Sequence, residues 1–416
     1  MRILYLHQYF NTRDMPGGTR SFEMARRLVA KGHDVHVVTS QRDGCSDARG
    51  ETVEAGIRVS WLRVPYSNAM GYGRRMSAFA DFAIRSAMTA MASRPDVILA
   101  TSTPLTIAIP GMAACSWHRI PMVFEVRDLW PEAAIQMGAL NHRAMIAGAR
   151  WLERLAYRQS AEIIALSPGM RDGIVATGVH PDRVTDIPNS SDVDLFSPTV
   201  DGTAIRQQLG LSGRILAYFG SMGPMHGVGF IVDAAAEFQR RRITDVTFVL
   251  CGDGKERPAL ERRVQSEALS NVRFVGPLAK RDVAHIAAAA DVCIATMANV
   301  PVIYTSSPNK LFDSLAAGRP VVTNMPGWQR EIVETNECGV FVKPDDAVDF
   351  ADRVLELLAS PERLARYGRN ARRTAETQFS RDVLADQLEG VLLRACAPQV
   401  DVRAAADAPV AVVTPS

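Results

Sequence analysis

The sequence predicts an α/β fold: two Rossmann-like, doubly wound parallel-sheet domains facing each other across a cleft. Three observations predict it. The length of 416 residues exceeds one ordinary core and suits two domains of roughly 180 residues. Short β-branched runs alternate with stretches of helical apolar spacing, the grammar of a parallel sheet covered on both faces. That grammar starts twice, each time with a strand that runs into a glycine-punctuated loop and then a helix.

In the first half, Ile3 to His7 is the opening strand, and Pro16-Gly17-Gly18 lies in the loop after it. Phe22, Ala25, Leu28 and Val29 fall at helical spacing, and Lys31-Gly32 stops that helix. Val35–Thr39, Val97–Thr101, Met122–Val126 and Ile163–Leu166 are the further strand-like runs. In the second half, Ile215–Phe219 ends in Gly220, a helix spans Phe230 to Arg241, and Val246–Cys251 ends in Gly252-Asp253-Gly254. Val272–Val275, Val292–Ala295 and Val321–Thr323 complete the set. Residues 1–195 and 205–378 are therefore expected as domains, divided at the loop-like Pro188-Asn189-Ser190-Ser191 and Pro198 to Gly202. A helix over 379–396 is expected to return to the first domain. Residues 397–416, rich in Ala, Val, Pro and Asp, read as a disordered tail.

Composition removes several classes. Apolar residues at 47% and charged residues at 22% are globular values. No segment approaches the roughly 20 uninterrupted apolar residues of a membrane span, and Met1 to Leu6 reads as a strand rather than a signal peptide. The six cysteines have no paired spacing, which argues against a disulfide framework or zinc site and for a reducing, cytoplasmic setting. His33 and His36 have no third ligand nearby in the sequence, so no metal is expected. Residues 1–190 hold 22 Lys and Arg against 17 Asp and Glu. That basic half fits either an anionic partner or membrane surface, or ordinary solvated charge.

A two-sheet enzyme of this kind places its ligand where the strands of both sheets end. Gly17 and Gly18 allow close backbone approach to an anion at a helix start, although a Gly-Gly also serves as a plain turn. The nicotinamide fingerprint Gly-x-Gly-x-x-Gly is absent there. The most specific stretch runs from Tyr304 to Val322. Thr305, Ser307 and Asn309 lead into a helix start, Lys310 sits in its first turn, and Asp313 follows three residues on. Lys310 and the helix amides suit a diphosphate, and Asp313 suits ribose hydroxyls. A surface Lys310 simply paired with Asp313 is the plainer reading.

This stretch resembles the signature of the retaining family-4 glycosyltransferases, Glu, seven residues, Glu, then Ala-x-Ala-x-Gly-x-Pro-Val. Other landmarks agree in order: Lys31-Gly32-His33-Asp34-Val35, Arg127-Asp128-Leu129-Trp130-Pro131-Glu132, Ile187-Pro188-Asn189, Gly220 to Gly227, Gly252-Asp253-Gly254 and Phe274-Val275-Gly276. The likeness covers residues 1 to about 395 and leans toward the branch with the N-acetylfucosamine transferases of O-antigen and capsule assembly. It implies a GT-B fold, retention of configuration, no metal and no cofactor beyond the nucleotide-diphosphate sugar as co-substrate. Gly220, Ser221, His226, Gly252 and Val275 then fall at donor-binding positions, and Arg127 and Asp128 near the reacting sugar.

Three positions depart from the pattern. Thr305 replaces the first Glu, leaving one hydrogen bond for a sugar hydroxyl. Ser221 and His226 replace the Arg and Lys that bind phosphate, so Lys310, backbone amides and His226 are left to meet that charge. Arg127 stands where the family has histidine, either orienting the acceptor or pairing internally with Asp128. His7 fits either a ligand contact or a hydrogen-bonded structural role.

The resemblance implies a UDP-sugar donor, a hexosyl or N-acetylhexosaminyl group and a lipid-linked saccharide acceptor, polyprenyl-diphosphate-linked in form. The setting would be the inner face of the plasma membrane, with products in lipopolysaccharide or exopolysaccharide synthesis and no nucleic acid involved. The basic, apolar stretches 141–160 and 66–91 fit docking on anionic lipid or simple core-facing helices. A nucleotide-sugar epimerase and a non-catalytic sugar-nucleotide-binding protein are the alternative readings.

Overall fold

A computed structural model describes residues 1–13, 15, 17–41, 50–64 and 72–397. Pro16 and the 66–71 part of the lipid-docking stretch lie outside the described residues, as does the expected tail beyond residue 397.

The first sheet contains β1 (Arg2–Leu6), β2 (Asp34–Ser40), β3 (Glu51–Glu54), β4 (Ile57–Leu62), β5 (Val97–Thr101), β6 (Met122–Val126), β7 (Glu162–Ala165) and β8 (Val184–Asp186). Its order is β3-β4-β2-β1-β5-β6-β7-β8. All pairings are parallel except β3 on β4, which forms an antiparallel edge hairpin. The second sheet contains β9 (Arg214–Phe219), β10 (Val246–Cys251), β11 (Val272–Val275), β12 (Val292–Ala295), β13 (Val321–Thr323) and β14 (Gly339–Phe341), wholly parallel in the order β11-β10-β9-β12-β13-β14. Central strands such as Val97–Thr101 and Val292–Ala295 are buried along their whole length. Helices cover both faces, so a continuous apolar run is the sequence form such strands take.

The two domains have separate cores. The C-terminal helix Arg381–Cys396 belongs to the first, with Leu384, Leu388, Val391 and Leu392 packed under the first sheet. The chain therefore crosses between the domains twice, at the segment after Ile187 and again near Ser380. These crossings pair at Ser191 and Ser380.

Buried charge ties the crossings together. Glu23, on the first helix (Arg20–Ala30), accepts ion pairs from Arg13, Arg26, Arg27 and Arg381. Arg13 continues to Asp192 in the crossing segment. Arg20 donates to Glu125 on β6 and to the carbonyls of Ile187 and Pro188. A polar group this deep is stable only when its hydrogen bonds are met, and Thr101 supplies one more to Glu125.

Several helices end where the sequence places them. The first stops at Lys31, with Gly32 at a φ of 86°. The helix expected over 141–160 spans Arg143–Gln159, and the one at Phe230 starts slightly earlier, at Val228.

Candidate functional site

Doubly wound sheets open a crevice where strand order reverses. In the first sheet the chain winds outward from β1 and then returns to β5 on its other side. In the second, β9 is flanked by β10 and β12 in the same way. The loops after β1, β5 and β6 and those after β9 and β12 bring together most of the polar side chains singled out in the sequence.

Lys310 is the centre of the second-domain side. It begins, with Asn309, the helix Asn309–Ala316, and it is 7% exposed. Its Nζ donates to the Tyr218 hydroxyl at 3.0 Å and to the Thr296 carbonyl at 3.1 Å, and lies 4.4 Å from the Tyr218 ring centre. Tyr218 is on β9 and Thr296 follows β12, so the ammonium sits on the reversal point. Burial without a carboxylate partner pushes its pKa down to about 7. Lys310 is thus neither a surface cation nor the partner of Asp313.

Asp313 faces other groups. Its carboxylate, also buried, is 3.4 Å from Lys280 Nζ. Burial lowers the Lys280 pKa, and Asp313 works against that shift. The helix therefore presents Lys310 to the reversal point and Asp313 to a second cation, one short rotation apart.

Glycines shape the floor. Gly220 follows β9 at a φ of 149°, and a side chain there would meet Lys310 Cε at 3.5 Å. Gly252, at a φ of 139°, packs so closely that a Cβ would overlap the Gly220 carbonyl oxygen; its amide donates to the Val275 carbonyl. Ser221 is exposed at this floor, and its carbonyl accepts from the Tyr218 hydroxyl at 2.6 Å. His226 lies near Lys310. Burial first, and the Lys310 charge second, push its imidazole pKa down to about 3. A neutral ring brings a hydrogen-bonding edge to an anion and no charge.

The segment before Lys310 is held by the first domain. The Thr305 hydroxyl donates to the Val302 carbonyl, its own carbonyl accepts from Ser167, and its methyl faces Gly169. Ser307 Oγ accepts from the Asn189 amide at 2.9 Å, and the Asn189 side chain donates to the Ser307 carbonyl. An apolar cluster of Ala133, Met297, Val302, Ile303 and Met325 closes the domains against each other beside these bonds.

On the first-domain side, Gly17 has a φ of 120° and the Gly18 carbonyl accepts from the Asn11 side chain. A Cβ at Gly18 would lie 3.9 Å from Asn309 Nδ2 and 4.0 Å from Arg127 Nη2. Arg127 follows β6; its amide donates to Ser102 Oγ and its Nη1 to His7 Nε2 at 3.2 Å. Asp128 accepts from the Thr103 hydroxyl at 3.2 Å, and burial raises its pKa against the opposing pull of Arg127. Arg127 and Asp128 make no ion pair with each other among the described residues; their hydrogen bonds go to His7 and Thr103.

Sequence reasoning did not single out Tyr218, Lys280 or Glu125, and it took Asn189 only as part of the Ile187-Pro188-Asn189 landmark. Each acts on a residue distant in sequence, and none falls in a glycine-rich or charged motif that marks it. Among the described residues, no His, Cys, Asp and Glu side chains are grouped as ligands for a metal ion, and no helix is long and apolar enough to cross a membrane.

Comparison with known proteins adds the following. Residues 17–190 match the family described as Glycosyl transferase 4-like domain, and residues 213–360 match Glycosyl transferases group 1. The chain is 27% identical to the alpha-D-kanosaminyltransferase of Streptomyces kanamyceticus over 58% of its own length and 63% of that protein, less than two thirds of the relative. It is also 27% identical to a putative colanic acid biosynthesis glycosyl transferase of Escherichia coli, over 62% of this chain and 67% of that one. An Anabaena protein solved with UDP and glucose superposes with a TM-score of 0.73 at 22% identity, covering 94% of this chain and 99% of the other.

Proposed function

The chain belongs to the glycosyltransferases of the GT-B type, and from that premise we propose that it transfers a sugar from a nucleoside-diphosphate donor to a saccharide acceptor. The observation that carries this reading is Lys310: a buried ammonium with no carboxylate beside it among the described residues, seated where the second sheet reverses. Burying such a charge is costly, and an anionic ligand in the crevice offsets that cost. The flanking glycines Gly220 and Gly18 let a diphosphate approach the backbone.

In the proposed reaction the bond from the anomeric carbon to the donor diphosphate breaks, and the acceptor oxygen bonds to that carbon on the same face. The departing diphosphate takes the acceptor's proton. Lys310 and the amides around Asn309 and Gly18 stabilise the negative charge that develops on it. Asp313 holds the ribose. The interdomain contacts at Ser307, Thr305 and Met297 keep water from the donor.

UDP is the proposed nucleotide, an N-acetylhexosamine or hexose the proposed sugar, and cell-surface polysaccharide the proposed product class. The family-4 likeness of Arg127-Asp128-Leu129-Trp130-Pro131-Glu132 supports this finer assignment. The acceptor is proposed to be lipid-linked. Three neighbouring helices of the first domain, Tyr72–Ala92, Ala108–His118 and Arg143–Gln159, expose Ile84, Met88, Trp117 and Trp151, each more than 60% accessible. Arg143, Arg150, Arg154 and Arg158 are exposed on the last of them. Apolar tips among arginines favour an anionic lipid surface.

Incubation with labelled nucleotide sugars, with and without lipid-linked saccharides, tests the reading. Acceptor-dependent release of nucleoside diphosphate supports transfer. Donor conversion without acceptor would instead mean epimerisation, and binding without turnover a sugar-nucleotide-binding protein.

A further inference from the structure

The described charges on the second-domain side are too few for a diphosphate, which carries two or more negative charges. Lys310 provides one ammonium. Ser221 is uncharged, Lys280 is paired with Asp313, and Arg257 is paired with Glu261. Lys255, after Gly252-Asp253-Gly254, is exposed, and among the described residues a further cation without an ion pair stands across the crevice, in the first domain.

We propose that Arg127 is the second cation of the donor diphosphate, held in place by His7 on the first-domain side of the crevice. Four features support it. Arg127 follows β6 at the carboxyl edge of the first sheet, where the crevice lies. Its guanidinium makes no ion pair among the described residues, although Asp128 is the next residue in the chain. Its Nη2 and the Asn309 amide both approach the bare α-carbon of Gly18, and Asn309 is adjacent to Lys310. A line of donors thus runs from Lys310 through Asn309 to Arg127, past a residue without a side chain. Finally, Arg127 is oriented. Because a guanidinium only donates, His7 Nε2 must accept, which fixes the neutral tautomer with its proton on Nδ1. That bond uses Nη1 and leaves Nη2 directed at Gly18. His7 is accordingly a positioning residue: it acts on the ligand through Arg127.

The inference rests on the nucleoside-diphosphate reading, and the experiment separates the two. The full-length protein is titrated calorimetrically with UDP, GDP, ADP and dTDP and with the matching nucleosides. For the diphosphate that binds, Arg127→Gln is expected to weaken affinity ten- to hundredfold, the range for loss of a charge-assisted contact. Nucleoside affinity stays within about twofold, since the base and ribose do not meet the guanidinium. Arg127→Lys recovers part of the loss. Gly18→Ala, whose methyl would make only ordinary contacts, also weakens the diphosphate selectively. His7→Leu weakens it in the wild-type background and has no effect on top of Arg127→Gln, whereas His7→Gln, which still accepts, remains near wild type. Unchanged diphosphate binding by Arg127→Gln overturns the inference, as does equal loss of diphosphate and nucleoside, which would mark a structural role. If the unaltered protein binds none of the four diphosphates, the donor reading falls, and this inference with it.

Discussion

Lys310 Nζ stands 3.0 Å from the Tyr218 hydroxyl, with the Tyr218 ring beneath it and, among the described residues, no carboxylate in ion-pair reach. A tyrosine hydroxyl and a carbonyl solvate an ammonium only partly, which suits the proposed role of Lys310 toward an anionic ligand. Replacing Lys310 by Met should therefore separate stability from activity. Buried charge traded for a packed apolar chain is often neutral or stabilising, so the melting temperature of Lys310→Met should hold or rise. Turnover should fall by about two to three orders of magnitude, the usual loss when a preorganised transition-state contact is removed. Near-normal turnover would remove Lys310 from the site.

If Lys310 holds the donor diphosphate as proposed, donor binding should be pH-dependent. Burial lowers its pKa from 10.5 to about 7, so between those values the folded chain holds fewer protons than the unfolded one. The cost of the buried charge is full below pH 7, and its contribution to stability rises as pH climbs from 7 toward 10.5. A bound diphosphate restores the charged form. Nucleoside-diphosphate affinity should accordingly fall as pH rises above about 7. Calorimetry at pH 8 in buffers of different ionisation enthalpy should detect proton uptake on binding. A buffer-independent enthalpy would contradict this.

Gly252 tests the floor of the site. Its positive φ and its contact with the Gly220 carbonyl exclude a side chain. Gly252→Ala should push the two loops apart, lowering both the melting temperature and nucleotide affinity. By contrast, Gly229→Ala, inside the helix Val228–Arg240 with open space around its Cβ, should leave nucleotide affinity unchanged and hold or slightly raise the melting temperature.

How much of this was legible in the sequence follows from where each interaction is encoded. Val97–Thr101, Met122–Val126, Val246–Cys251, Val292–Ala295 and Val321–Thr323 coincide with observed strands because each is a local, largely buried apolar run, and Val272–Val275 coincides as an edge strand whose apolar residues flank an exposed Arg273. The hairpin of β3 and β4 was not anticipated: Glu51 to Glu54 is a half-exposed edge without an apolar signature. Val184–Asp186 and Gly339–Phe341, three residues each, are too short for a period to register. At the site, Lys310 stood out through its local motif. Its anchor Tyr218 is 92 residues away and the Asp313 partner Lys280 is in another helix. Helical spacing alone placed Lys310 and Asp313 on one face; tertiary packing gave each a different partner.

Glu23 should be a stability determinant with no role in substrate contact. Burial alone would raise its pKa, but Arg13, Arg381 and Arg26 together hold it well below the usual carboxylate range. Its contribution is present above the unfolded value of about 4.5 and is lost as pH falls below that. Glu23→Gln would leave the buried Arg381 with only the longer Asp192 pair at 3.9 Å, at a cost of up to about 3–5 kcal/mol. Denaturant unfolding at pH 7 should show the loss, with the difference from wild type shrinking in acid. An unchanged midpoint would show that the arginines find other partners.

The exposed face of the first domain makes the last prediction. The helix Arg143–Gln159 buries Glu153, Ala156 and Tyr157 and leaves Trp151 65% exposed, so the side carrying Trp151 is not the one used for packing. Trp117, at the end of the neighbouring Ala108–His118 helix, is 69% exposed. If this face meets lipid, the protein should co-sediment with phosphatidylglycerol-containing vesicles and not with pure phosphatidylcholine. Arg154→Gln with Arg158→Gln should weaken that binding by roughly 1 kcal/mol per charge, and added salt should do the same. Trp151→Ser should reduce the salt-resistant part by removing apolar insertion. Since Trp151 and these arginines lie outside the crevice, nucleotide affinity should be unaffected in both variants. Equal recovery from both kinds of vesicle, or none from either, would leave the lipid-linked acceptor without a docking surface here.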